Sequence, residues 1–436
     1  MLNSIPIQEY GTLENSAICC DLLGLEKYLK RNKLSNVLKI TPSGIKANYH
    51  VGVIKYKNFQ LQILPKLITE ENADENLILK NLIYMLSYTK KLNIKTADNI
   101  NLSKNKNPFL EILIKEYATS LFNALKRLTP KNYIREENNL NYLKGKIKFS
   151  ENIKYNCSNQ AKFYCEYDEF SENNILNQLF LYVSSSLYEI SKNSENKRVL
   201  KLIIDYFSGI KLVYFDKFKC DKIRLTRNQQ LFEKPFKLAK MFVENSNIDF
   251  SKNKFENISL IWDMNKLFEE FIYQVIRQNL PSQLKSITAQ KKHKLLKNHD
   301  SPKRDTFVDI LIETIDGNKI VLDTKYKKFT KIDDISNGDI YQVCTYCTLH
   351  NIGPKEEISQ DKNSPPHAIL LYPRYNSKNA PDILEYRLNS INKNLEYNIH
   401  FRTVNLLYQD LKSSLPNLIK ELSEILSIQN PKQEIE

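Results

Sequence analysis

The chain has 436 residues, a formal net charge of +14 and a hydrophobic fraction of 42%. This length predicts two or three domains, and the apolar content excludes an intrinsically disordered protein. No apolar run approaches the ~18 residues of a membrane span, the N-terminus does not resemble a signal peptide, and the 7 cysteines lack a disulfide spacing. We therefore expect a soluble, cytoplasmic protein. Its basic excess fits either a phosphate-rich partner or a solvated lysine-rich surface.

The first 250 residues divide into a β-rich part and a mainly helical part. In residues 1–68, a helix over Leu22–Arg31 precedes strands with period-two alternation at Val37–Ile40, Tyr49–Ile54 and Leu61–Pro65. Residues 69–250 contain apolar residues at three- and four-residue spacing. This spacing predicts helices over Glu75–Thr89, Asn107–Arg127, Lys197–Tyr206 and Gln229–Val243, and one that begins near Glu172. Two short β segments, Leu143–Phe149 and Phe163–Asp168, are predicted between them.

The polar, Asn-rich stretch 244–258 predicts a domain boundary. After it, the pattern predicts a helix over Trp262–Gln278, two or three strands, and a helix over Gly338–Leu349. Strands at Ala368–Pro373 and Ile399–Leu406 and a helix over about 409–427 follow. Residues 251–436 therefore predict a compact α/β core. The whole chain is predicted to be an α+β multidomain protein, with a β-rich and helical module before this core.

Two predicted strands of this core carry the strongest chemical signal. Asp309 stands at the start of the run Val308–Ile312, and Asp323 and Lys325 end the run Ile320–Tyr326. The turn Asp316-Gly317-Asn318 makes these strands hairpin neighbours. Residues two apart leave the same face of a strand, so Asp323 and Lys325 are expected side by side. Two carboxylates and one ammonium are typical of metal-dependent phosphodiester cleavage, although an exposed ion pair would give the same local pattern.

Several further residues could support or replace this site. Glu269 lies beside the apolar face of a predicted helix and could complete the acidic cluster, or it could be an ordinary exposed carboxylate. Asp339 could be a helix-capping residue, with Gln342 one turn later pointing back to the site. Cys344 and Cys347 lack a second ligand pair, which disfavours zinc. No glycine-rich phosphate loop is present, so the chain is not a P-loop nucleotide hydrolase.

A cluster of basic residues precedes the strand of Asp309. Its members, which are candidates for contact with DNA phosphates, are Lys291, Lys292, Lys294, Lys303 and Arg304. A solvated loop is an equally good interpretation of this run.

Taken in order, these motifs resemble the McrC family, the cleavage subunits of the McrBC modification-dependent restriction system. The likeness rests on Phe268-Glu269, Asp309-Ile310, Val321-Leu322-Asp323-Thr324-Lys325-Tyr326-Lys327 and Asp339-Ile340-Tyr341-Gln342. Upstream it includes Val51–Ile54, Ile63–Lys66, Leu143–Ile147 and Tyr167–Asn174, and so covers most of the chain. Val308 stands where the PD-(D/E)xK motif usually has its proline.

The resemblance implies a PD-(D/E)xK endonuclease domain over residues 251–436. Asp309 and Asp323 would bind Mg²⁺, Lys325 would be the catalytic lysine, and Glu269 and Gln342 would complete the site. The partners implied are DNA, methylated in the resembled system, and a separate AAA+ GTPase of the McrB type. Residues 1 to about 250 would bind and activate that motor.

Two rival interpretations stay open at the level of sequence. One is a nuclease of a related NTPase-coupled defence system without methyl dependence. The other is a non-catalytic adaptor that activates a ring NTPase and uses its basic surface to hold DNA.

Overall fold

A computed structural model gives the architecture of the chain. It describes residues 4–14, 21–57, 59–66, 75–89, 108–158, 161–249, 254–297, 302–329, 331–350, 352, 367–374, 383–387, 397–406 and 414–426. These residues form a mixed α/β structure with helices and several sheets, as the sequence predicts. The helices are α1 (Leu22–Arg31), α2 (Glu75–Tyr88), α3 (Pro108–Leu125), α4 (Phe149–Asn156), α5 (Ile175–Ile190), α6 (Ser194–Tyr206), α7 (Lys217–Asp221), α8 (Glu233–Glu244), α9 (Met264–Asn279), α10 (Asn337–Leu349) and α11 (Leu415–Ile425).

The strands are β1 (Ser4–Gln8), β2 (Thr12–Glu14), β3 (Leu38–Thr41), β4 (Gly44–Ala47), β5 (His50–Tyr56), β6 (Phe59–Leu64), β7 (Asn132–Leu140), β8 (Lys146–Ile147), β9 (Phe163–Ser171), β10 (Ser246–Asp249), β11 (Lys254–Asp263), β12 (Leu284–Lys297), β13 (Pro302–Thr314), β14 (Lys319–Thr324), β15 (Ala368–Pro373), β16 (Ile383–Arg387) and β17 (Asn398–Val404). None of the described helices is long and apolar enough to cross a membrane.

The chain forms two compact units. The first contains residues 1–53, 58–102 and 261–436, and the second contains residues 54–57 and 103–260. The predicted division at 1–68, 69–250 and 251–436 concerns functional modules, and it stays a prediction beside these units.

A six-stranded mixed sheet forms the centre of the first unit, in the order β12-β13-β14-β15-β17-β16. Strands β12, β13 and β14 pair antiparallel, whereas β14, β15 and β17 run parallel. Val321, Leu370 and Phe401 of this sheet pack with Val343 and other buried side chains of α10. The apolar run of β14 is buried throughout, which is typical of a central strand whose two faces are both covered.

The second unit consists mainly of helices with one three-stranded sheet, β7-β9-β8. Its core contains large buried side chains, among them Tyr117, whose hydroxyl donates to the Phe180 carbonyl at 3.1 Å. The side chains of Asn174 and Asn177 each donate to the Pro130 carbonyl at 2.8 Å. These bonds satisfy polar groups that the core would otherwise leave without partners.

The structure corrects several predictions. Residues 244–258, predicted as a polar segment without regular structure, contain β10 and the first residues of β11, which pair antiparallel; the domain boundary itself stays a prediction. Phe149 begins α4 instead of ending a strand, and β7 and β4 were not predicted. Strands β7 and β10 contain few apolar residues, so no period-two apolar alternation identifies them in the sequence. The predicted helix at about 409–427 is observed as α11, and residues 407–413 lie outside the described part of the chain.

Candidate active site

Asp309 lies in the middle of the long strand β13, not at the start of a short one as predicted, because β13 begins at Pro302. Its Oδ2 accepts hydrogen bonds from the backbone nitrogen of Thr324 at 3.1 Å and from Thr324 Oγ1 at 3.3 Å. These bonds attach Asp309 to the end of β14. Burial raises the pKa of Asp309, while the Thr324 bonds and the charge of Lys325 oppose that rise.

Asp323 is fully buried near the end of β14, with 0% of its surface exposed. Its Oδ2 lies 2.6 Å from Lys325 Nζ. Within the described part of the chain, Asp323 Oδ1 is buried without a hydrogen-bond partner. Burial, together with the nearby charge of Asp309, raises the pKa of Asp323 to about 7. A buried carboxylate with so few donors is costly in a folded protein, and such groups cluster at functional sites.

Lys325 connects Asp323 to helix α10. Its Nζ donates to Gln342 Oε1 at 3.1 Å, and Gln342 Nε2 donates to the Tyr346 hydroxyl at 2.7 Å. Burial opposes the charge of Lys325, but the charges of Asp323 and Asp309 and the hydrogen bond to Asp323 raise its pKa. The side chain therefore remains an ammonium that is held from two sides. Tyr346, one helical turn after Gln342, was not predicted, although its spacing is a usable signal.

Glu269 on α9 belongs to the same electrostatic neighbourhood. Its Oε1 accepts a hydrogen bond of 2.6 Å from Gln290 Nε2 on β12. Burial and the charge of Asp309 raise the pKa of Glu269 to about 7, and the bond from Gln290 opposes that rise. Glu269 and Gln290 also line a cleft of about 390 Å³, whose other walls include Lys266, Tyr273 and Ala289. The structure therefore brings Glu269, Asp309, Asp323, Lys325 and Gln342 together.

Asp339 is a first-turn residue of α10, and Ser336 caps the helix by accepting from the Asp339 nitrogen at 3.2 Å. The Asp339 carboxylate pairs with Lys327. Burial opposes its charge, but the hydrogen bonds from Lys327 and Ser336 lower its pKa. Asp339 is therefore an ionised partner of Lys327 and lacks a direct bond to Lys325.

The basic cluster lies on strands and not in a loop, because β12 and β13 form one long hairpin. Lys291, Lys294 and Arg304 are exposed. Lys292 Nζ pairs with Asp305 at 2.7 Å, which offsets part of its charge. Lys303 is part of β13, but its side chain lies outside the described residues.

Tyr326, which follows Lys325, attaches the end of β14 to the N-terminal strands of the same unit. Its hydroxyl donates to Glu9 Oε1 at 3.1 Å, and the same oxygen accepts from the Lys66 nitrogen at 2.7 Å. Its ring also lies 6.0 Å from that of Phe268, the neighbour of Glu269. Glu9 gave no signal in the sequence, since its partners lie 57 and 317 residues away.

The donor set fits a hard cation. Carboxylate oxygens are the ligands that Mg²⁺ prefers, and Asp323 Oδ1 is a buried acceptor without a donor among the described residues. Three or more His, Cys, Asp or Glu side chains do not gather in a metal-binding arrangement anywhere in the described ranges. Two aspartates match a Mg²⁺ that keeps several waters.

Cys347 packs in the core, with its Sγ 3.7 Å from the His367 carbonyl.

Comparisons with known proteins agree with the fold. A family described as "McrBC 5-methylcytosine restriction system component" matches residues 45–373. A chain of the half-complex from the tetradecameric assembly of Thermococcus gammatolerans McrB AAA+ hexamers with bound McrC superposes with a TM-score of 0.74. That match covers 97% of this chain and all (100%) of the other at 21% identity, which shows a shared fold. The Thermococcus gammatolerans McrBC complex gives a TM-score of 0.53 at 25% identity, covering 64% of this chain and 88% of the other. No curated protein matches.

Proposed function

The chain belongs to the McrBC 5-methylcytosine restriction system component family, and from that premise we propose that it is the DNA-cleaving subunit of such a system. The observation that carries this proposal is the assembly of Asp309, Asp323 and Lys325 at one buried point of the central sheet. Two carboxylates beside a held ammonium are the chemical requirement of metal-dependent phosphodiester hydrolysis. The PD-(D/E)xK fold of residues 251–436 is part of the proposal.

Asp309 and Asp323 would hold Mg²⁺, and Glu269 lies close enough to add its charge to theirs. When bound, Mg²⁺ polarises a phosphoryl oxygen and lowers the pKa of a coordinated water. The chain itself supplies the fixed acceptors. Thr324 keeps Asp309 against the end of β14, and burial of Asp323 excludes the water that would compete for its oxygens.

Lys325 supplies positive charge at the site. Because Asp323 and Gln342 hold its ammonium at 2.6 and 3.1 Å, the group can stabilise charge that develops on a phosphate without first reorganising. Gln342 is in turn oriented by Tyr346. The catalytic role of Gln342 is therefore to position Lys325, since its only described contacts are these two side chains.

DNA is the proposed substrate, and methylated DNA is the form that the family description favours. The exposed Lys291, Lys294 and Arg304 on the β12–β13 hairpin supply charge that phosphates can bind. Such contacts would add salt-dependent affinity without reading sequence.

The proposed partner is a separate AAA+ GTPase of the McrB type, on which this chain docks and whose hydrolysis it stimulates. One solved chain of similar fold comes from an assembly of McrB AAA+ hexamers with bound McrC, and another comes from a McrBC complex. These 436 residues contain 9 glycines and no Walker A motif, which agrees with a motor that is a separate subunit. The proposed docking region is residues 1 to about 250.

The test combines the purified chain with the product of its neighbouring gene, GTP or ATP, Mg²⁺, and methylated or unmethylated plasmid. The proposal predicts cleavage of methylated plasmid that disappears in an Asp323→Ala variant. Cleavage that survives this substitution would contradict the catalytic assignment. Methylation-independent cleavage would favour a related defence nuclease, and stimulated nucleotide hydrolysis without cleavage would favour an adaptor.

A further inference from the structure

Gln290 has a backbone conformation that is unusual for its place in the fold. It lies inside strand β12, yet its φ is +50°, in the left-handed region that disfavours a residue with a Cβ. The other non-glycine residues with positive φ in the described ranges, Tyr10, Lys33 and Lys57, all lie in turns, where such angles serve a change of chain direction. Gln290 serves no turn, so its strain needs another explanation.

The register of the hairpin places this strained residue at the active site. Ala289 pairs with Ile310 and Lys291 pairs with Val308, so Gln290 stands at the intervening register position, opposite Asp309. Its side-chain amide donates to Glu269 Oε1 at 2.6 Å. Gln290 is therefore in contact with one proposed site carboxylate and opposite another.

The charge pattern explains what this bond does. Glu269 is repelled by Asp309 and is partly buried, and both effects drive its carboxylate away from the site or toward its neutral form. The hydrogen bond from the Gln290 amide to Glu269 Oε1 holds the carboxylate in place and stabilises its charged form. Because Glu269 and Gln290 line the same cleft, the amide also fixes which oxygen of Glu269 is turned toward β12.

We propose that Gln290 is a positioning residue of the nuclease site, whose left-handed backbone aims its amide at Glu269 and holds that carboxylate beside Asp309. This inference rests on the proposed function, since it assigns a role within the same site. It identifies a contribution of the β12–β13 hairpin besides any contact with DNA.

Substitution of Gln290 should lower cleavage without a matching loss of thermal stability. Gln290→Gly removes the amide and also relieves the positive-φ strain, because glycine adopts this conformation freely. We expect cleavage to fall by about tenfold, the lower end of the loss seen when a group that orients a metal site is removed. We expect the melting temperature to stay equal or rise.

Gln290→Glu keeps the shape of the side chain and replaces the amide donor with an acceptor. It should lower cleavage at least as much as Gln290→Gly. Gln290→Asn, which retains an amide and tolerates the left-handed region, should recover part of the activity. Lys33→Gly is the matched control for stability, since it relieves positive-φ strain at an exposed turn, and its melting temperature should also stay equal or rise.

The measurements are melting temperature, cleavage rate at saturating Mg²⁺, and the Mg²⁺ concentration that gives half-maximal cleavage, all with the partner GTPase. Wild-type cleavage rates in Gln290→Gly would overturn the positioning role alone. A lower melting temperature in Gln290→Gly, with activity lost in proportion, would assign Gln290 a structural role instead. A wild-type chain that does not cleave would overturn the proposed function together with this inference.

Discussion

Two buried carboxylates, one in each compact unit, have opposite surroundings. Glu111 in α3 of the second unit is 5% exposed and accepts hydrogen bonds from Ser191 Oγ at 2.7 Å, the Lys192 nitrogen at 2.5 Å and Asn196 Nδ2 at 2.8 Å. Asp323 in the first unit is 0% exposed, is close to the ammonium of Lys325, and has an oxygen without a donor in the described structure.

The difference distinguishes a carboxylate whose oxygens are satisfied by protein donors from one that has an oxygen left for a ligand. Donors from three residues around Glu111 replace the water it loses, and they fix the loop between α5 and α6. Asp323 lacks such a set of donors, so its charged form is disfavoured: burial and the charge of Asp309 raise its pKa to about 7. A fold retains such a group where its oxygens are needed for something other than packing.

The largest effect is expected for Asp323→Asn. This change keeps the size of the side chain and removes the charge that would hold a cation. We expect cleavage to fall by at least about 100-fold, since direct metal ligands contribute no less than their outer partners. The unfolding free energy should fall by less than in Glu111→Ala, because relief of the poorly compensated Asp323 charge offsets part of the cost of leaving Lys325 without this partner. Plasmid cleavage measures the activity, and urea unfolding measures the stability. If the variant were as strongly destabilised as Glu111→Ala, Asp323 would be a structural group like Glu111.

Glu111→Ala should give the reverse pattern. It leaves the donors of Ser191, Lys192 and Asn196 without their acceptor, so we expect a loss of about 3 kcal/mol in unfolding free energy. Cleavage per folded molecule should be unchanged. Urea denaturation with a parallel cleavage assay checks this, and Glu111→Gln, which preserves part of the network, is the milder control.

The pH dependence of stability should also distinguish the two groups. The pKa of Asp323 is raised to about 7 in the folded chain, above the ~3.9 of an unfolded aspartate. The folded state therefore binds more protons between these values, and its stability falls as pH rises from about 4 to about 7. In metal-free protein, the difference between wild type and Asp323→Asn should follow this slope. A difference that is flat with pH would contradict the raised pKa.

Tyr326→Phe should have the smallest effect. Glu9 is fully buried like Asp323 but accepts from Lys66 and Tyr326, so it resembles Glu111. Loss of the Tyr326 hydroxyl should cost about 1 kcal/mol, the usual value for one hydrogen bond. Urea unfolding beside Tyr341→Phe, whose side chain is exposed, measures the difference. Equal stability of the two variants would show that the hydrogen bond from Tyr326 to Glu9 does not stabilise the fold.

The sequence predicted the parts of the site that local patterns encode. Alternation and an apolar run placed Asp323 and Lys325 at the end of a buried strand, and helix periodicity gave α1, α2 and α10 within one or two residues. Helix position next to an apolar face indicated Glu269, and spacing one turn after Asp339 indicated Gln342; the family resemblance then implied their place in the site. The grouping that these motifs indicated is the one observed.

What the sequence could not give depends on distant partners. Strand β10 was hidden by its polar residues, and the pairing of the basic run on β12 with β13 was not predicted, because it depends on cross-strand partners. Gln290 and Glu9 are ordinary polar residues until the register and the tertiary contacts place them beside Glu269 and Tyr326. A positive φ inside a strand gives no compositional signal.

The most direct test of Asp323 as a cation ligand is thermal unfolding in the absence and presence of Mg²⁺, at a pH near 8 where its carboxylate is ionised. Binding to the folded state alone raises the melting temperature. We predict that Mg²⁺ raises the melting temperature of wild type and of Glu111→Gln by the same amount, and leaves Asp323→Asn unchanged. An equal Mg²⁺ shift in Asp323→Asn would contradict the assignment.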